Sequence, residues 1–146
     1  MIGDKFFLKT ALLLAEESKC ISLKVGAVIV KDKRIISMGY NGTVQNTIDC
    51  DDALKENIFE KDKHSEWSDS HEIHAEMNAL MFAAKHGLSV DGCTLYCTHE
   101  PCDQCLKNII QAGIKKVVYI TPYRKERCKS TYRFDKNLVT MIKYDL

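Results

Sequence analysis

Two short motifs limit what this chain can become more than any other feature. His74-Ala75-Glu76 is followed, 27 residues after His74, by Pro101-Cys102-Asp103-Gln104-Cys105. His74, Cys102 and Cys105 offer one imidazole and two thiolates, the donors that zinc prefers. Three protein ligands leave one tetrahedral position for water, the arrangement of a catalytic centre. Glu76 lies two residues beyond His74, close enough to exchange protons with that water. A lone C-x-x-C reads as a redox pair or half of a zinc ribbon. The preceding Pro101 and the upstream His-x-Glu select a water-activating metal site instead. Any fold of this chain must therefore bring the two segments together.

The order of elements shows how. Asp4 is expected to cap a helix from about Lys5 to Ser18, with Phe7, Leu8, Ala11, Leu12 and Ala15 as its apolar stripe. Val25 to Val30 reads as a strand, Arg34 to Gly39 as a second, and Asp32-Lys33 as the tight turn between them. Thr43 to Ser70 is polar and lacks a period, so it reads as a long loop with one short helix around Asp52 to Glu60; such loops are often functional. Asp69 and Glu72 form a capping signal for the next helix, whose buried face is Ile73, Met77, Leu80, Met81 and Ala84, ending at Gly87. Thr94–Thr98 and Lys116–Ile120 read as strands flanking a helix from about Cys102 to Ala112. Leu138–Tyr144 reads as a final edge strand.

This order predicts one domain over residues 1–146 with an insertion at about 43–70. Its fold class is α/β, a three-layer α/β/α sandwich around a mixed, roughly five-stranded sheet. His74 falls in the first turn of one helix, and Cys102 and Cys105 in the first turn of the next. Helix N-termini favour thiolates, so two helix starts converging at one end of the sheet can hold a zinc between them.

With 146 residues, the chain is long enough for one proper core. No apolar run approaches the roughly 20 residues of a membrane helix, and Met1 to Lys5 lacks the features of a signal peptide. Seven cysteines, an odd number with a metal-type spacing, suggest a reducing compartment and a cytoplasmic protein. The net charge of +1 argues against a nucleic-acid partner and for a small substrate. Lys125, Arg127, Lys129 and Arg133 read as a solvated face.

Zinc lowers the pKa of water enough to generate hydroxide near neutrality. That nucleophile can attack an electron-poor ring carbon bearing an amino group, with Glu76 shuttling protons to the ring nitrogen and the departing ammonia. H-x-E…P-C-x-x-C is the signature of zinc-dependent nucleobase deaminases, and at these residues the chain resembles the cytidine deaminase superfamily. Glu72-Ile73-His74-Ala75-Glu76-Met77-Asn78-Ala79, Gly39-Tyr40-Asn41-Gly42-Thr43, Ser18-Lys19-Cys20 and Lys24-Val25-Gly26-Ala27-Val28-Ile29 look like deoxycytidylate (dCMP) deaminases. His64-Ser65-Glu66-Trp67-Ser68 is similar to the T-even bacteriophage members. The likeness runs from about residue 5 to 123, and the chain departs from the phage pattern in a shorter central insertion and an abbreviated C-terminus.

The resemblance implies hydrolysis of dCMP to dUMP and ammonia, feeding thymidylate synthesis, in a bacterial host's cytoplasm if the chain is phage-encoded. It implies substrate contacts at Asn41 and Ala75, and 5′-phosphate contacts at Ser22, Lys24 and Tyr123, with Arg124 in reserve. It further implies a homohexamer activated by dCTP and inhibited by dTTP, with effector contacts at Asn41, Gly42 and Thr43 and a subunit contact at Lys85. T-even relatives hold a second zinc; the matching positions here are Cys20, Cys50 and His64, with Glu60 at the fourth and His71 as another donor. Cys93, Cys97 and Cys128 read as packing residues. Three rival readings stay open on sequence alone: a dual dCMP/dCTP deaminase, a tRNA or polynucleotide deaminase, and a non-catalytic zinc-binding nucleotide sensor.

Overall fold

The run Gly26-Ala27-Val28-Ile29-Val30 has no polar position, which suits a strand covered on both faces, and it forms the interior strand β1 (Gly26–Lys31). A computed structural model of the chain describes residues 2–123 and 137–146. Before β1 comes helix α1 (Asp4–Ala15). After it come β2 (Arg34–Tyr40), β3 (Gly42–Thr43), α2 (Cys50–Lys55), a 3₁₀ turn (Lys61–Lys63), α3 (His64–His71) and β4 (Glu72–Ile73). The order continues with α4 (Ala75–Lys85), β5 (Thr94–His99), α5 (Asp103–Gln111), β6 (Lys116–Thr121) and β7 (Thr140–Lys143).

Five strands form one mixed sheet in the order β2-β1-β5-β6-β7. β1 is antiparallel to both β2 and β5, whereas β5, β6 and β7 run parallel. Strand alternation sends side chains to two cores. Ala27, Ile29, Leu95, Cys97 and Val117 face α4 and α5, while Val28, Val30, Tyr96 and Val118 face α1. Helices therefore cover both faces, and the architecture is the expected α/β/α sandwich. Asp32 and Lys33 close the β1–β2 hairpin with φ of 49° and 62°, as a two-residue primed turn requires.

Several local expectations are corrected. Asp4 does not cap α1; Gly3 does, and the Asp4 carboxylate instead accepts the Tyr96 hydroxyl at 2.6 Å. α1 stops at Ala15 because Ser18 turns away, its hydroxyl donating to the Asn41 carbonyl at 2.8 Å. The 43–70 segment is not mainly loop. It holds α2, the 3₁₀ turn and α3 around its own small core of Cys20, Cys50, Ala53, Phe59 and Trp67.

Asp69 lies inside α3 and Glu72 in β4, so neither caps α4; His74 is the N-cap. The buried face of α4 is Ala75, Glu76, Ala79, Leu80 and Ala83, while Met81 is exposed. Small alanines let α4 approach β2 closely. A Cβ on Gly39 would lie 2.7 Å from the Ala75 carbonyl oxygen and 2.8 Å from the Ala79 nitrogen. The last strand is shorter than expected but does form an edge of the sheet. Arg124, Lys125, Arg127, Cys128, Lys129 and Arg133 lie outside the described residues.

Candidate active site

The two motifs meet at the end of the sheet where β5 delivers the chain into α5. His74 is the N-cap of α4 and Cys102 the N-cap of α5, with Cys105 one turn further on. Both cap positions bring their side chains to helix ends that carry partial positive charge. His74 Nδ1 lies 3.6 Å from Cys102 Sγ and 3.2 Å from Cys105 Sγ. A tetrahedral zinc with bonds of about 2.0 Å to nitrogen and 2.3 Å to sulfur sets such edges at about 3.5 Å. The donor atoms lie close enough together to hold one ion, and the set leaves a fourth position open.

Electrostatics favour the ligand form at Cys102, whereas hydrogen bonding to Cys102 and burial hold the Cys105 thiol well above its ordinary range. Hydrogen bonding from the Cys105 thiol, with help from His74, pulls the Cys102 thiol down to about 4. The thiolate of Cys102 in turn raises His74.

Glu76 sits in the first turn of α4 and is 4 % exposed. Burial raises its carboxyl above the ordinary range, as expected of a general base poised toward neutral pH. Its Oε1 accepts the Cys97 thiol at 3.1 Å. Cys97 comes from β5, is fully buried, and is pushed well up by burial.

A second donor cluster lies under the insertion. Cys20, Cys50, His64 and Glu72 each bring one ligand atom within 4.8 Å of the others. Cys20 Sγ lies 3.6 Å from His64 Nε2 and 3.4 Å from Glu72 Oε1, and His64 Nε2 lies 2.9 Å from Glu72 Oε1. Burial pushes the Cys50 thiol up to about 12 and raises Cys20. Glu72 Oε2 is buried without a hydrogen-bond partner, a costly state that suits a carboxylate waiting for a cation.

The expectation of Glu60 as fourth donor therefore gives way to Glu72. Glu60 is exposed at the start of the 3₁₀ turn. His71 is also outside the cluster: it stacks on Trp67 at 4.5 Å, with Nδ1 2.8 Å from the Trp67 carbonyl oxygen. Sequence reasoning missed Glu72 because its place in the cluster comes from β4. This two-residue strand pairs with β3 through Thr43↔Glu72 and Gly42↔Ile73, and two residues carry no period.

The candidate nucleotide contacts divide into two groups. Asn41 is a latch: its Oδ1 accepts from Val25 N at 2.8 Å and its Nδ2 donates to the Leu23 carbonyl at 2.7 Å. It thereby fixes the segment carrying Ser22 and Lys24, both exposed. Tyr123 is half-buried after β6, its backbone N donating to Glu100 Oε1 at 3.2 Å. Ala75 is fully buried, with its carbonyl against Gly39. Gly42 and Thr43 border a separate cleft of about 730 Å³ that Asn78, Phe82, Lys85 and His86 also line. Among the described residues, no helix is long and apolar enough to cross a membrane.

Residues 1–121 match the family model described as the cytidine and deoxycytidylate deaminase zinc-binding region. The deoxycytidylate deaminase of Enterobacteria phage T2 is 42% identical, aligned over 82% of this chain and 80% of that protein. The apo crystal structure of the dCMP deaminase from cyanophage S-TIM5 superposes with a TM-score of 0.73 at 35% identity, covering 97% of this chain and 96% of the other. The same phage enzyme in complex with dCMP and dUMP gives a TM-score of 0.71 at 40% identity over 82% of each chain.

Proposed function

This chain belongs to the cytidine and deoxycytidylate deaminase family, and on that premise we propose that it hydrolyses dCMP to dUMP and ammonia, residues 1–146 acting as one domain. The observation that carries the reading is a buried carboxylate, Glu76, two residues beyond His74 of the three-donor cluster His74, Cys102 and Cys105. His74, Cys102 and Cys105 fit zinc in donor type and spacing. When bound there, zinc supplies the Lewis acidity that makes water a competent nucleophile near neutral pH.

The remaining steps belong to side chains of the protein. Glu76 takes one proton from the attacking water and gives it to the ring nitrogen; it then takes the remaining proton from the new C–OH group and gives it to the amino group, which leaves as ammonia as that oxygen becomes the ring carbonyl. Its buried setting suits this double duty, because burial raises the carboxylate's affinity for the proton it must carry. Asn41 holds the Leu23–Val25 segment, so Ser22 and Lys24 can meet the 5′-phosphate from one side and Tyr123 from the other. Ala75, fully buried between His74 and Glu76, sets the spacing between the metal donor and the proton carrier at the start of α4.

Cys20, Cys50, His64 and Glu72 complete a closed four-donor set for a structural zinc that pins the insertion to the segment after α1. Cys50→Ser is expected to lower bound zinc from two equivalents to one by elemental analysis; one equivalent in both proteins rules the second site out. The cleft beside Gly42 and Thr43 takes the effectors, dCTP as activator and dTTP as inhibitor, with Asn41 setting the turn and Lys85 at a subunit contact of a hexamer.

The deciding experiment is ammonia release from dCMP, dCTP, deoxycytidine, CMP and a cytosine-containing oligonucleotide, each with and without dCTP or dTTP. Selective turnover of dCMP, raised by dCTP, is the expected result. Turnover confined to the oligonucleotide, or none with zinc bound, defeats the reading.

A further inference from the structure

The geometry points to Cys97 as a positioning residue for the acid–base carboxylate, its thiol holding Glu76 Oε1 in the orientation that proton transfer requires. This rests on Glu76 being the proton carrier of the proposed reaction. Nothing in the local sequence gives Cys97 a role, since it precedes the Pro101 motif and falls outside every metal-ligand spacing. In the structure it is 0 % exposed on β5 with Sγ 3.1 Å from Glu76 Oε1.

The two residues come from different elements, and both elements are rigid. Cys97 is paired on both sides, with Ala27 on β1 and Tyr119 on β6. The carboxylate is therefore tied to the middle of the sheet as well as to its own helix. A carboxylate has two oxygens. With Oε1 fixed by the thiol, the plane of the group is set and Oε2 is left for the water and the ring nitrogen.

A thiol suits this position for two reasons. It packs as a small hydrophobe in a core of Ala27, Ala75, Ala79 and Leu95, and it is a weak donor. It orients the acceptor without competing strongly for the lone pairs that must accept protons. Proton transfer depends steeply on reach and alignment, so loss of the tether acts on turnover and not on binding.

The test compares Cys97→Ala, which removes the donor, with Cys97→Ser, which keeps one of similar size. Cys97→Val serves as a donor-free variant without a cavity should the alanine variant fold poorly. Steady-state kinetics on dCMP, zinc content and Tm are measured for each. The expected result is a fall in kcat of about tenfold for Cys97→Ala and Cys97→Val, with KM and zinc content unchanged. Cys97→Ser should recover most of the loss, and Cys97→Ala in a Glu76→Gln background should lower kcat no further. Wild-type kcat in the donor-free variants overturns the proposal, as does a loss that tracks Tm or zinc content and that serine does not restore. A wild-type protein that holds zinc yet does not turn over dCMP fails at the underlying reading, and the role of Cys97 goes with it.

Discussion

Tyr96 and Cys97 are neighbours on β5, and each donates a hydrogen bond to a carboxylate in the first turn of a helix, on opposite faces of the sheet. Tyr96 reaches Asp4 of α1 at 2.6 Å, and Cys97 reaches Glu76 of α4 at 3.1 Å. The outcomes differ because the surroundings differ. Asp4 is half-exposed, and the contact serves as a staple between α1 and the sheet. Glu76 is buried and its pKa is raised by that burial. One motif of strand donor and helix-start acid thus gives a fastening on the wetter side and a chemically poised group on the dry side. The two acids differ in their access to water.

Substitutions can break this contrast, and the acid on the α4 face should give the largest effect. Glu76→Gln keeps the shape of the side chain but cannot shuttle protons, so kcat on dCMP should fall about 10²–10⁴-fold with zinc content unchanged. Appreciable residual turnover would place the proton carrier elsewhere. Next is the packing beneath it. Gly39→Ala pushes a methyl into the backbone of α4 at Ala75 and Ala79. It should destabilise the fold by about 1–3 kcal/mol and lower kcat about tenfold through misplacement of Glu76; calorimetry and kinetics on one preparation read both.

The α1 face should show stability effects alone. Tyr96→Phe removes the staple and should cost about 1 kcal/mol, or about 3 °C in Tm, with kcat unchanged. The smallest effect is in pH. Burial, and then the neighbouring Asp4, hold the Tyr96 hydroxyl above its ordinary range. The native state therefore keeps this proton after the unfolded chain has lost it. Its stabilising contribution is complete below about pH 10 and is lost as pH rises through the folded value. Denaturation midpoints should fall more steeply above about pH 10 in wild type than in Tyr96→Phe; equal slopes would remove Tyr96 from the alkaline transition.

What is legible in the sequence follows the range of each signal. The three donors and Glu76 can be read because one helix start supplies His-x-Glu and the other C-x-x-C, both local patterns. The strands can be read from apolar runs, and the hairpin from the two residues between them. The face of α4 is misjudged because hydrophobicity favours Met77 and Met81, while the close approach at Gly39 favours Ala75, Ala79 and Ala83. Helices α2 and α3 carry so many polar residues that no stripe is visible; their burial comes from a few side chains such as Ala53 and Trp67. Cys97 and Glu72 depend on partners in other elements, Glu76 for one and Cys20 and His64 for the other. Contacts of that kind leave no trace in local spacing.

The two-residue ladder between β3 and β4 decides where the gene can tolerate insertions and deletions. Thr43 is the last residue before the excursion through α2 and α3 and Glu72 the first after it, and they face each other across one strand spacing. Because its ends are already joined, the connections within that excursion, outside α2 and α3, can lengthen or shorten at little entropic cost, about 0.6 kcal/mol for each doubling of a flexible loop. Downstream of the ladder there is no such freedom. Glu72, Ile73 and His74 alternate sides of an extended backbone, so one residue added or lost between Glu72 and His74 turns one donor away from its cluster. Length variation should therefore collect in the connections at 44–49 and 56–58, outside α2, α3 and their core, and stop abruptly at Glu72.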